Sequence, residues 1–335
     1  MATMKQVAER AGVSTSTVSH VINGTRAVSV DVRERVLGLI DAMGYIPNAM
    51  ARSLRNDKTH TIGVALPDNG HPCFADLLRG IEDAAFEAGY HVMLCRGHAD
   101  PERQAVHLRG LIGKRIDGLV LASCTAAAEQ ALAPLLAGLR VPLVLAGQAL
   151  PGVAADCIGL DHEATGHAAT RHLLELGHRR IACVAAPESE PGSRERVAGY
   201  QRALRDAGIV PDPAWLLHAE ASCAGGHDAA LALLALPHPP TALFACSDLM
   251  ALGALCAAQE AGLALPGQLS VAGGDGLGMA AFATPRLTSV AQPGYAMGRA
   301  VAELLVARIG GENGPLRHQR LQGTLVVRQS TAAPR

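Results

Sequence analysis

The sequence predicts an α/β protein in three parts: an N-terminal all-α helix-turn-helix head with a short hinge helix behind it, then two doubly wound parallel-sheet lobes. Three observations predict this. Apolar residues recur at helical spacing through the first 45 residues. After Lys58, short apolar runs alternate with amphipathic stretches. The 335 residues suffice for roughly two domains plus a small module.

In the head, Met4, Val7, Ala8 and Ala11 fall at i, i+3, i+4 and i+7 and form one stripe, with Lys5, Gln6, Glu9 and Arg10 facing away. Gly12 follows the stripe, where a residue without a side chain turns left-handed most easily, and Ser14 is placed to cap a second helix. That helix buries Val18, Val21 and Ile22 and presents Thr15, Ser16, Ser19, His20 and Asn23 to solvent. A third helix runs from a cap near Ser29 to Gly44, burying Val32, Val36, Ile40 and Met43. Two helices joined by a short Gly-containing turn offer the second of them to the DNA major groove. A nearly uncharged face of Thr, Ser, His and Asn suits hydrogen bonding to base edges and phosphates. The alternative is a three-helix domain whose polar faces are merely wet.

In the body, residues 61–66, 90–95, 117–122 and 141–145 read as buried parallel strands, with helices near 73–88, 101–114 and 126–138 between them. A second series begins at 157–160, with strands near 181–185, 241–246, 269–273 and 287–291 and helices near 163–176, 192–207, 225–236 and 248–262. Ligands of such sheets bind outside the carboxyl ends of the strands, which places a site in the cleft between the lobes.

Composition narrows the function. Residues 1–60 carry a charge of +3 and the remainder −4, so a polyanion partner is expected at the head. No apolar run reaches bilayer length and the N-terminus has no signal-peptide core, so a cytoplasmic protein without membrane contact is expected. The eight cysteines never form a C-x-x-C pair and read as reduced, buried thiols rather than staples or zinc ligands. Gly273-Gly274-Asp275-Gly276-Leu277-Gly278 fits neither dinucleotide nor Walker spacing. His162, His167, His172 and His178 do not share one helical face, which argues against a metal. No G-x-S-x-G elbow exists and Ser247-Asp248 has no base placed by sequence. Neither an enzyme, a cofactor nor a metal is expected.

Val7-Ala8-Glu9-Arg10-Ala11-Gly12-Val13-Ser14, Thr17-Val18-Ser19, Val21-Ile22-Asn23 and Gly44-Tyr45-Ile46-Pro47-Asn48 strongly resemble the lactose/galactose-repressor family of bacterial transcription regulators. The resemblance covers nearly the whole chain and is densest in the first 63 residues. It implies a periplasmic-binding-protein-like core in which the chain crosses between lobes three times. The implied parts are a head over 1–46, a hinge helix and linker over 47–58, and a core over 59–335. Lobe 1 takes about 59–160 and 292–320, and lobe 2 about 161–291 and 321–330. It further implies a repressor that binds double-stranded operator DNA as a homodimer under the control of a small-molecule effector, a sugar, sugar acid or other metabolite. A sugar-binding protein without DNA activity is the alternative. By resemblance Thr15, Ser16 and His20 read bases, within a DNA-facing set that includes Thr17, Ser19 and Asn23. Asn48 caps the hinge helix, Ala51 permits its close pairing with a second copy, and Leu54 wedges a central base step in the minor groove.

The same resemblance places His71, Phe74, Arg194, Arg196, Ser247, Asp275 and Gln292 around the effector. Against the family's ribose-type pocket, Phe74, Arg196, Asp275 and Gln292 match. His71, Cys73, Gly147, Ala221 and Ser247 depart from it, which makes ribose doubtful because each hydroxyl left unpaired costs about 1–3 kcal/mol. Arg96, Arg194 and Arg196 with His71 form a basic cleft for an anionic metabolite in one reading; in the other, Arg96 and Arg194 sit on a wet rim.

Overall fold

The computed structural model describes residues 2–45, 58–66, 72–96, 101–122 and 126–335. The expected hinge helix with Asn48, Ala51 and Leu54, as well as His71 and Cys124, lie outside the described residues. The chain folds as two compact units, Met1–Thr59 and His60–Arg335.

The first unit holds α1 (Met4–Ala11), α2 (Thr15–Asn23) and α3 (Val30–Met43). A capping box starts α1: the Thr3 hydroxyl accepts from the Gln6 N–H while the Gln6 side chain accepts from the Thr3 N–H. Gly12 ends the helix at φ 65° and Ser14 caps α2 by accepting from the Thr17 N–H at 3.1 Å. Val7, Ala8, Ala11, Val18, Val21, Val36 and Tyr45 are the buried core of this unit. Val32, Ile40 and Met43 pack on it only half-buried, because α3 lies across the edge of so small a core. Ser29 stands at the α3 N-cap without a side-chain hydrogen bond.

The second unit contains two six-stranded sheets. Its elements are β1 (Thr61–Leu66), α4 (Cys73–Glu87), β2 (His91–Arg96), α5 (Pro101–Ile112), β3 (Gly118–Ala122), α6 (Ala126–Ala137), β4 (Leu143–Ala146), β5 (Asp156–Leu160), α7 (His162–Glu175), β6 (Ile181–Ala185), α8 (Pro191–Asp206), β7 (Leu216–His218), α9 (Cys223–Leu234), β8 (Ala242–Ala245), α10 (Asp248–Glu260), β9 (Ser270–Gly273), β10 (Thr288–Ala291), α11 (Gly294–Ile309), β11 (His318–Leu321) and β12 (Thr324–Val326). The strand orders are β11-β5-β4-β3-β1-β2 in lobe 1 and β12-β10-β9-β8-β6-β7 in lobe 2, parallel throughout except for the β10–β12 pair. The chain passes from lobe 1 to lobe 2 after β5, returns through α11, and crosses again between β11 and β12.

Sequence reading and structure differ in four places. Residues 294–309, assigned no element above, form α11. Gly298 there and Gly80 on α4 let the two helices touch by backbone, since a Cβ on either would lie 2.1 or 2.2 Å from a carbonyl oxygen of the other. Strands β7 and β11 escape a pattern search because one has three residues and the other, His-Gln-Arg-Leu, is an exposed polar edge. Strand β2 is not buried: it closes the edge of its sheet, and Met93 and Leu94 are 38% and 51% exposed. An apolar run reads alike at edge and centre, and only neighbours tell them apart. Finally, Cys223 and Cys256 are exposed and Cys73 and Cys95 half-buried, leaving Cys157, Cys183 and Cys246 as the buried thiols among the described residues.

The segment after β12 is strapped to lobe 2. Buried Ser330 donates from its N–H to the Arg286 carbonyl and from its hydroxyl to the Val271 carbonyl. The Thr331 hydroxyl bonds the His172 ring at 2.9 Å, and the His178 Nε2–H donates to the Ala332 carbonyl at 2.9 Å. Both histidines are thus consumed by this strap, and burial pushes both rings toward the neutral form.

Candidate functional site

The cleft side chains follow from topology. Ser247 comes two residues after β8, Asp275 two after β9, Gln292 directly after β10 and His162 two after β5. All stand at carboxyl ends of strands, where parallel sheets place ligands. Arg196 reaches the same place from α8.

Arg196 is the hub. It is 8% exposed, and its guanidinium donates through NH1 to Asp275 Oδ1 at 2.8 Å and to the Cys246 carbonyl, and through Nε to His162 Nδ1 at 3.2 Å. Burial opposes its charge, but Asp275 more than offsets this and holds it above the usual guanidinium range. Asp248 positions Asp275. Its carboxylate accepts from the N–H groups of Asp275 (3.1 Å) and Leu277 (2.7 Å) and from the Ser289 hydroxyl. Asp275 answers by accepting from the Asp248 N–H at 2.9 Å. Burial, then the neighbouring Asp275 charge, push the Asp248 carboxyl above its ordinary range. Ser247 caps α10 through the Met250 N–H. The Gln292 amide donates to the Gly274 carbonyl at 2.8 Å and the Thr165 hydroxyl at 3.1 Å, while its Oε1 is buried with no donor, an acceptor suited to a ligand hydroxyl or N–H.

Burial, reinforced by the Arg196 charge, pushes the His162 imidazole down to about 3. It is therefore neutral and accepts at Nδ1. Unfolded, it titrates at the ordinary 6.5. This contribution is complete above that value and is lost as pH falls from 6.5 toward 3, a loss of up to about 5 kcal/mol. Urea denaturation of His162→Gln between pH 7 and 4 is expected to lack this loss, and identical pH slopes in wild type and variant contradict the assignment.

The lobes are also latched. Glu195 accepts from the Gln148 amide at 3.1 Å and from Arg320 at 3.1 and 3.3 Å, linking α8 to lobe 1. His162, Asp248 and this latch escaped the sequence reading. His162 was weighed only as a metal ligand and Asp248 only as a nucleophile's neighbour, and the sole signal for either was its place just past a strand.

Of the residues the resemblance places around an effector, Arg196 bonds Asp275, Gln292 bonds the carbonyl of the adjacent Gly274, and Ser247 follows Cys246, whose carbonyl also meets Arg196. Phe74 lies half-buried on α4 against the lobe 1 core. Arg194, two residues from Arg196 on a helix, faces solvent, as does Arg96 at the end of β2. With Asp275 matching the Arg196 charge and His162 neutral, positive charge is not concentrated at this hub.

On the head, Thr15 and Ser16 are exposed at the first turn of α2, and Thr17, Ser19 and His20 are half-buried. The Ser14 hydroxyl lies 2.7 Å from that of Ser16 and 2.8 Å from that of Thr17, and the His20 Nδ1 bonds the Thr25 hydroxyl at 2.9 Å. Asn23 closes the helix before Gly24. Among the described residues no helix is long and apolar enough to cross a membrane.

Residues 3–48 match the model of bacterial regulatory proteins of the lacI family, and residues 59–326 match that of periplasmic binding proteins and the sugar binding domain of the LacI family. The chain is 38% identical over 334 residues to the ribose operon repressor of Escherichia coli K12, covering 99% of this chain and all of that one. It is 37% identical, over 99% of both chains, to the HTH-type transcriptional repressor PurR of Aliivibrio fischeri ES114. The lac repressor dimer bound to operator and the anti-inducer ONPF superposes with a TM-score of 0.88 at 28% identity, over 99% of both chains. The chain belongs to the LacI family of bacterial transcription regulators.

Proposed function

We propose that this regulator represses transcription by binding operator DNA as a homodimer, and that a small metabolite held at the Arg196 hub changes its operator affinity. Residues 1–46 are the DNA-reading head, with Thr15, Ser16 and His20 toward the bases and Thr17, Ser19 and Asn23 beside them. Residues 47–58 act as the hinge, with Asn48, Ala51 and Leu54 in the minor groove. Lobe 1 (59–160 and 292–320) and lobe 2 (161–291 and 321–330) close on the effector, and closure biases the hinge. It performs no catalysis.

The observation that carries the effector reading is the buried Arg196–Asp275–Asp248 network beside the unpartnered Gln292 Oε1. A hub whose arginine is already charge-matched and whose histidine is neutral favours a neutral, hydrogen-bonding metabolite, a sugar or a nucleobase, over a phosphorylated one. His71, Phe74 and Ser247 complete the pocket, and Arg194 belongs to its rim.

A salt-dependent gel shift on palindromic DNA is expected for the full chain and lost on deletion of residues 1–57, with effector binding retained. Calorimetry of the full chain against neutral sugars, nucleobases and sugar phosphates identifies the class. Binding confined to the phosphates overturns the neutral-ligand reading.

A further inference from the structure

We propose that the exposed crossing of α9 and α10 carries a zinc(II) site built from Cys223, His227, Cys256 and Glu260, separate from the DNA-reading helix and from the Arg196 hub. The four residues form two i, i+4 pairs, Cys223 with His227 on α9 and Cys256 with Glu260 on α10, so each helix supplies two ligands from one face. The helices meet without intervening side chains. A Cβ on Gly253 would lie 2.0 Å from the Cys223 carbonyl oxygen, and one on Gly226 would lie 2.2 Å from that of Met250. This backbone contact brings ligands from both helices within reach of one cation.

The donors are already drawn together. One carboxylate oxygen of Glu260 lies 2.9 Å from His227 Nε2, and the other accepts from the Cys256 thiol at 3.4 Å. Cys223 and Cys256 are both exposed, and Cys223 is near enough to act electrostatically on the Cys256 thiol. The other ring nitrogen of His227, Nδ1, bonds the Asp228 carboxylate at 3.0 Å. That is the arrangement in which a carboxylate orients a metal-binding imidazole and leaves Nε2 for the ion. Two thiolates, an imidazole and a carboxylate make a tetrahedral set of borderline softness, which zinc(II) favours at roughly 2.0–2.3 Å.

Among the described residues, with the side chains as they stand, no group of three or more such donors is arranged to hold a metal ion. At this crossing Glu260 is hydrogen-bonded to both His227 and Cys256, and the Cys223 thiol stands exposed beside them. Zinc entry replaces these bonds after small side-chain rotations. The two thiols each lose a proton as they become thiolates, and the His227 ring turns Nε2 from the Glu260 carboxylate to the ion. The thiol protons leave to water, so affinity rises with pH.

Cobalt(II) titration of the reduced full chain tests the site. The expected result is one cobalt per chain with a thiolate-to-metal charge-transfer band and tetrahedral visible bands, all displaced by zinc(II). Cys256→Ser is expected to diminish the charge-transfer band, His227→Gln to weaken binding at least tenfold, and Asp228→Asn to weaken it about 10–100-fold. Circular dichroism checks that each variant folds, and the exposed Asp228→Asn keeps the test open if a cysteine variant does not. Absence of a thiolate band in the wild type overturns the site, as does unchanged binding in the folded variants.

Discussion

Replacing Arg196 by alanine is expected to abolish effector binding and to destabilise the core unit by about 3–5 kcal/mol, the cost of removing one partner of a buried ion pair. The guanidinium closes three bonds, to Asp275, His162 and the Cys246 carbonyl. Without it, Asp275 and Asp248 face each other as two buried carboxylates with the Arg196 countercharge gone. Lysine is a poor replacement because a single ammonium lacks the planar fork that serves the three acceptors. Stability and binding separate in the double variant Arg196→Ala/Asp275→Asn, which removes the orphaned charge and should recover much of the lost stability while remaining unable to bind. Urea denaturation reads the first and calorimetry the second. An Arg196→Ala protein that still binds effector with wild-type affinity removes the hub from the mechanism.

Gly166→Ala is expected to have the next largest effect. The added Cβ would lie 2.0 Å from the Arg196 carbonyl oxygen and 2.8 Å from its carbonyl carbon, backbone atoms that cannot rotate away. Gly199 on α8 faces the Glu163 carbonyl oxygen of α7 at the same 2.0 Å. The two helices must part, at a cost of about 1–3 kcal/mol for overpacking, and α8 carries Arg196 with it. Effector affinity should therefore fall together with stability. Gly110→Ala is the control: a Cβ there meets nothing within 4 Å, so a small gain from helix propensity is expected, about 1 kcal/mol at most. Equal thermal shifts in the two variants would contradict this reading of the contact.

Most of this architecture was legible in the residues. Runs such as Thr61-Ile62-Gly63-Val64-Ala65-Leu66 and Ile181-Ala182-Cys183-Val184-Ala185 became central strands because burial on both faces leaves no alternation to misread. What escaped was information held between segments. His-Gln-Arg-Leu becomes a strand only because β5 offers it an edge. The glycines that lower helix propensity over 294–309 are explained only by α4 lying against them. The pocket shows the same limit. Arg196 and Asp275 were found through family resemblance, whereas His162 and Asp248 act through partners tens of residues away. The Cys223, His227, Cys256 and Glu260 cluster was invisible to a search for C-x-x-C, because its spacing exists only where two helices cross.

The three passages of the chain between the lobes have a consequence for how the protein is made. Lobe 1 lacks α11 and β11 until lobe 2 has been almost wholly synthesised, for β11 pairs with β5 across more than a hundred residues of intervening chain. During translation the β5 edge waits with unsatisfied backbone groups, which is a template for mispairing. Neither lobe is a portable cassette. A graft that exchanges effector specificity between relatives must carry the return segment as well as the pocket, or it will leave a sheet missing its border strand.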